Sequence, residues 1–276
     1  MKDLLDNKPL VHIITFFMML FFYAAASGQN DWTDYVSVKK HGIMSISIDL
    51  SLAFYKPNYK HLLVVGSNFN NCMENGFPEE TGLNEIFAFS DSIALSTEEI
   101  TPNRLVGFLT YQCMAFDVFY VKDTVGLREN LNQMIDRNFK GNQIYLNIKK
   151  DKNWQYYFDY LYPSGFSSEY LIDQGYLNDL VLQGDDLKGL RKVQHWVYFK
   201  NLEKRKKFSD KIKKLNFSLE SISYNRDEQF PYELKLSRKD SISPESIYKL
   251  TYMLRAMSGS LGGVYDGWST DVIKKE

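Results

Sequence analysis

Cysteine is nearly missing from this sequence: Cys72 and Cys113 stand alone in 276 residues. A fold stapled by several disulfides is thereby excluded. Histidine is scarce too, and no CxxC, HExxH or EF-hand spacing occurs. A dedicated transition-metal site is therefore not expected. No GxSxG string follows a strand pattern, which removes the nucleophile elbow. The glycine-rich stretch Ser258–Gly263 follows a helical pattern where a phosphate loop would precede one, so it reads as a helix cap. An excess of charge of either sign is also lacking. Thirty-three basic against 34 acidic side chains leave a net −1, so no bulk field draws in nucleic acid or an anionic membrane. Composition and motifs call for no cofactor.

What is present is an ordinary globular composition, 44% hydrophobic, with 19 Tyr and 19 Phe. Aromatics in that number suit half-buried pleated surfaces and predict a sheet-rich α+β protein. One long apolar run occurs, Leu10 to Ala26, broken by His12 and Thr15 and preceded by Lys2 and Lys8. It closes in Ala24-Ala25-Ala26-Ser27-Gly28, the small-residue exit of a secretory signal peptide. Residues 1–28 are therefore expected to be removed and the protein exported, periplasmic or secreted. The alternative is an uncleaved membrane anchor over residues 10–26. Outside the cytoplasm a Cys72–Cys113 disulfide is allowed, and geometry decides whether it forms.

Downstream, periodicity predicts strands at Ile46–Leu50, Leu62–Val65, Leu105–Tyr111 and Ala115–Val121, with helices over Gly82–Glu99 and Val125–Asn138. Gln143–Lys149 and Trp154–Tyr162 read as two more strands forming a hairpin over Lys150–Asn153. Ser167–Gln183 reads as a connecting helix, and the turn Gly184-Asp185-Asp186 with Lys188-Gly189 marks a boundary. Beyond it come strand (Gln194–Phe199), helix (Glu203–Leu215), strands (Ser218–Tyr224, Tyr232–Ser237) and helix (Pro244–Ser258). That βαββα order, completed by a late strand, belongs to a ferredoxin-like split βαβ unit. A strand and charged turn before a helix recur at Val118–Lys122 and Val197–Lys200. The expectation is two ferredoxin-like α+β domains: 29–165, a linker over 166–187, and 188–276.

Basic residues cluster once, at Lys204-Arg205-Lys206-Lys207 with Lys211, Lys213 and Lys214. This pattern fits the solvated face of an amphipathic helix better than a nucleic-acid surface. Two strings are more particular. In Val193–Phe199, His195, Val197 and Phe199 share one strand face while Trp196 and Tyr198 share the other, which predicts a central strand with His195 packed. In Gly262–Trp268, Asp266-Gly267 reads as a tight turn, with Tyr265 and Trp268 anchoring the chain end on a sheet. The candidate partner-contact or structural residues are thus His195, Trp196, Tyr265, Asp266, Gly267 and Trp268. No catalytic residue is singled out.

These strings carry a family resemblance. "RKVQHWVYF" at 191–199, "YELKLSR" at 232–238 and "GGVYDGWST" at 262–270 resemble the RraB family, regulators of ribonuclease E activity. "DWTDY" at 31–35, "ENGFPEETGL" at 74–83, "LVGFLTYQ" at 105–112 and "WQYYFDYLYPS" at 154–164 are similar to domain-of-unknown-function family 695, with "GDDL" at 184–187 as the junction. The resemblance implies two α+β domains, no known catalytic residues, and a regulator that binds a protein and masks its activity. The expected partner is an unidentified protein. No nucleic acid is expected, and a membrane only through an uncleaved N-terminal segment. The competing class is an enzyme or small-ligand binder with a cleft between the domains, near His195 or Asp117.

Overall fold

The computed structural model describes residues 31–163, 167–226 and 228–274. The expected signal segment lies outside them. The described chain is an α+β protein of two domains, each an antiparallel sheet packed with helices. The first sheet contains β1 (Trp32–Lys39), β2 (Gly42–Asp49), β3 (His61–Asn68), β4 (Asn103–Tyr111), β5 (Met114–Val121) and β6 (Ile144–Lys150), in the order β1-β2-β4-β5-β3-β6. Helices α1 (Glu80–Ile100) and α2 (Leu127–Asn138) follow β3 and β5. The second sheet has the order β10-β7-β9-β8, from β7 (Leu190–Phe199), β8 (Ser218–Tyr224), β9 (Tyr232–Ser241) and β10 (Gly263–Thr270). Its helices are α4 (Leu202–Lys213) and α5 (Pro244–Gly259), and α3 (Ser168–Leu182) precedes β7.

An internal repeat is present, in a different register from the one the sequence suggested. β3–α1–β4–β5–α2–β6 and β7–α4–β8–β9–α5–β10 share both element order and strand order. The equivalent strands are therefore β3 and β7, whereas Val118–Lys122 ends β5. The hairpin β1–β2 is an addition at the edge of the first unit, paired to β4 through β2.

The expected strand at Trp154–Tyr162 is a correction. This stretch is helical and includes a π-helical turn, Tyr157–Leu161. Its aromatics suit a strand, yet Trp154, Tyr157 and Leu161 recur at helical spacing and all three are buried. Asp151 starts the turn by accepting the Gln155 and Tyr156 N–H groups at 2.8 and 2.9 Å. The Trp154 ring stacks on Tyr120, with centroids 3.9 Å apart, and caps the face of the first sheet opposite α1 and α2.

Cys72 and Cys113 form a disulfide, tying the 70–79 loop to the β4–β5 turn. That loop sends Phe77 into the apolar cluster of the second domain, where it is fully buried. α3 likewise does more than connect. Leu177, Leu180 and Val181 belong to the second core. On its other side, Gln174 Oε1 accepts the Val36 N–H at 3.4 Å, and Ser45 Oγ donates to Asn178 Oδ1 at 2.6 Å.

Candidate functional site

β7 runs through the middle of the second sheet, between β10 and β9. Arg191, Val193, His195, Val197 and Phe199 alternate onto its helix-facing side and are buried. Trp196 and Tyr198 point to the side away from α4 and α5 and are half-buried. The Lys235 ammonium lies 4.7 Å from the Trp196 ring centroid. The strand is central as expected, but only one of its faces is sealed.

The closing string is a strand with a bulge; the expected tight turn at Asp266-Gly267 does not form. Tyr265 pairs with Val197 and Gly267 with Trp196, leaving Asp266 as the extra, exposed residue. Gly267 has φ of +152°, a conformation that residues with a side chain rarely adopt. The bulge turns both Tyr265 and Trp268 onto the helix-facing side, where they are 8% and 5% exposed.

Beneath that face lies a buried polar network. Asp173 of α3 accepts the Thr251 hydroxyl, both terminal nitrogens of Arg255 at 3.3 Å, and the Trp268 indole N–H at 3.1 Å. Its lone pairs are committed to these donors, so it ties α3 to α5 and β10. The Arg255 guanidinium stacks over Tyr265, 5.1 Å from the ring centroid. Tyr265 Oη lies 2.9 Å from His195 Nδ1. His195 is fully buried, and its Nε2 has no hydrogen-bond partner among the described residues. Burial, helped by the Arg238 charge, pushes its pKa down to about 3. It is a neutral packed imidazole near pH 7.

A second buried aspartate sits at the junction. Asp185, from the "GDDL" string, pairs with Arg191 and accepts the Leu187 and Ile273 N–H groups at 2.7 and 2.8 Å. Asn75 of the first domain donates to the Val181 and Asp185 carbonyls at 2.7 and 3.1 Å. Asp117 is isolated from both networks. It lies on β5, facing α1, and Ser90 Oγ donates to its two oxygens at 3.1 and 2.9 Å. Burial pushes its pKa up to about 7, with Ser90 opposing and Asp91 adding.

The structure thus joins His195, Tyr265 and Trp268 under the second sheet and leaves Trp196 and Asp266 outside. Asp173, Thr251 and Arg255 were missed by the sequence reading. The available signal was three polar residues, Asp173, Gln174 and Asn178, among the apolar positions of α3. His195 and Asp117 do not open on a cleft, since both are buried. A shallow depression lies instead at the start of α4, lined by Lys200, Asn201, Leu202, Glu203, Lys206 and Tyr232, all from the second domain. The basic cluster occupies the outer face of α4, whose Phe208 and Ile212 are buried. Among the described residues, no group of three His, Cys, Asp or Glu could hold a metal ion, and no helix is long and apolar enough to cross a membrane.

Fold and site together define a two-domain α+β protein whose conspicuous polar groups serve packing. The chain carries a DUF695 domain, from a family of unknown function, over residues 30–162, followed by an RraB domain, regulator of ribonuclease activity B, over residues 172–270. The RraB match begins within α3, in keeping with the place of that helix in the second core. No curated protein matches the chain. Among solved structures it is similar to one titled "Crystal structure of putative glycine cleavage system transcriptional repressor", at 9% identity and TM-score 0.24, covering 78% of this chain and all of that one. Another is an unknown protein from Galdieria sulphuraria, at 10% identity and TM-score 0.21, covering 77% and 99%.

Proposed function

We propose that this chain is an exported, non-catalytic regulator that binds a protein through the open face of its second, ferredoxin-like domain. The RraB match over residues 172–270 carries this reading, because that family is one of regulators rather than enzymes. Trp196, Tyr198 and Asp266 are the contact residues, on the side of the sheet that α4 and α5 leave uncovered. Trp and Tyr are among the residues that protein interfaces enrich. His195, Tyr265, Gly267 and Trp268 act beneath them as structural supports. Export rests on residues 1–28, and the Cys72–Cys113 disulfide suits an oxidising compartment.

The test is a pull-down from the envelope fraction with the mature protein as bait, beside Trp196→Ala. Specific capture lost in that variant, at unchanged thermal unfolding, supports the reading. Capture indifferent to Trp196, or no capture, overturns it. N-terminal sequencing of native protein should begin between Ser27 and Asn30; Met1 in a soluble cytoplasmic fraction removes the export element. The family description favours a second reading, regulation of a ribonuclease inside the cell. Slowed cleavage by ribonuclease E in the presence of the full chain would select it.

A further inference from the structure

The aromatic cap of the first sheet leaves several rings in water. Phe54 and Tyr55 follow a 3-10 turn (Leu50–Ala53) and are 89% and 84% exposed, and Tyr160 of the π-helical turn is 70% exposed. Scattered exposed apolar residues are ordinary, but these are grouped with lysines. Lys56 Nζ stands 4.4 Å from the Phe158 ring centroid and 5.7 Å from that of Trp154. Lys149 Nζ stands 5.6 Å from Tyr156, which stacks on Tyr160 at 5.2 Å. Lys60 and Lys152 are exposed at the adjoining turn, where the Asp151 N–H donates to the Lys60 carbonyl at 2.8 Å. The Asp151 carboxylate is turned inward, held by the Tyr120 hydroxyl, and Asp159 is the exposed acid on the turn. In a chain of net charge −1, this basic surplus is local.

The turn that leads into Phe54 and Tyr55 is pinned at its start, where the Asp31 carbonyl accepts the Leu50 N–H at 2.8 Å.

We propose that the aromatic–lysine face of the first domain docks on an anionic bilayer. Phe54, Tyr55 and Tyr160 enter the interfacial layer, and Lys56, Lys60, Lys149 and Lys152 meet lipid phosphates. Rings with lysine stems beside them suit that boundary, apolar below and charged above. The face is separate from the second-domain surface assigned to a protein partner, so either assignment can fail alone.

Residues 31–276 contain both sheets and all four apolar clusters, so they carry their own cores. This chain, lacking the apolar run, should sediment with vesicles containing phosphatidylglycerol, release in high salt, and ignore pure phosphatidylcholine vesicles. Lys56→Ala and Lys149→Ala should each weaken binding about fivefold. Phe54→Ser combined with Tyr55→Ser should weaken it roughly tenfold or more. Thermal unfolding should stay unchanged in all of them, and Trp196→Ala should bind like the parent. Absence of binding to phosphatidylglycerol vesicles, or binding that these substitutions leave untouched, overturns the proposal. Retention of a single-stranded oligonucleotide without vesicle binding overturns it as well, in favour of a nucleic-acid surface.

Discussion

Each domain buries an ionisable group on a helix-facing strand of its sheet, and the two groups are of opposite kind. Asp117 of the first domain has the Ser90 hydroxyl for a partner, and His195 of the second has the Tyr265 hydroxyl. Burial disfavours charge in both places, so the acid titrates near 7 and the histidine near 3. The two shifts act on stability in opposite directions. As pH rises from 3.8 toward 7, the unfolded chain releases the Asp117 proton before the folded chain does, so stability falls. As pH drops from 6.5 toward 3, the unfolded chain takes up a proton at His195 first, so stability falls with acid. One topology therefore yields two domains with opposed pH responses, decided by the side chain that occupies the core.

The domains also differ in how completely they close. The first sheet is covered by α1 and α2 on one side and the aromatic cap on the other. The second is covered on one side, and its core is finished with parts from outside its own repeat unit: α3, Val36 and Ile43 of the β1–β2 hairpin, and Phe77 of the β3–α1 loop.

That dependence supplies the largest expected effect. A fragment of residues 188–276 lacks Leu177, Leu180, Val181 and Asp173 and should show no cooperative thermal unfolding, while residues 31–276 do. A cooperative 188–276 fragment would make α3 a mere linker after all. Next, Phe77→Ala should cost about 3–5 kcal/mol, read as easier exposure of second-domain amides to hydrogen exchange although the residue lies in the first. Loss confined to first-domain amides would break the claim of a shared core.

Asp117→Asn comes third. It should remove the decline in stability between about pH 4 and 7, leaving the variant more stable than the parent above pH 7 by something on the order of 2–4 kcal/mol. Denaturant midpoints across that range would show it, and an unchanged slope would mean that Asp117 is solvated. His195→Gln is the smallest of the four. It should flatten the acid limb below pH 6.5 by about 1–3 kcal/mol, with a cost near pH 7 for imperfect packing. Equal acid sensitivity in parent and variant would place the titrating group elsewhere.

Much of the architecture was legible because it is written in local periodicity. The alternation through Val193–Phe199 marked β7, and Pro244 after Ser243 marked the start of α5. Trp154–Tyr162 misled for a physical reason. Six of its nine residues are aromatic and favour strands by type, but the packing of Trp154 on Tyr120 and the Asp151 cap selected a helical turn. Asp266-Gly267 was legible as a place of special backbone, though a bulge and a turn call for the same residues.

The sequence by itself determined most of the element order, the two-domain division, the family resemblance and the side of β7 on which His195 lies, since each depends on neighbours a few residues apart. Only the tertiary structure decided what those groups meet. Trp268 reaches Asp173 across 95 positions and Tyr265 reaches His195 across 70, while Cys72 and Cys113 close over 41. Whether Asp117 can hold a charge, or Phe77 completes a core in the other domain, follows from burial that no local pattern encodes. Burial is a property of how the elements stack, and desolvation acts only once they have done so.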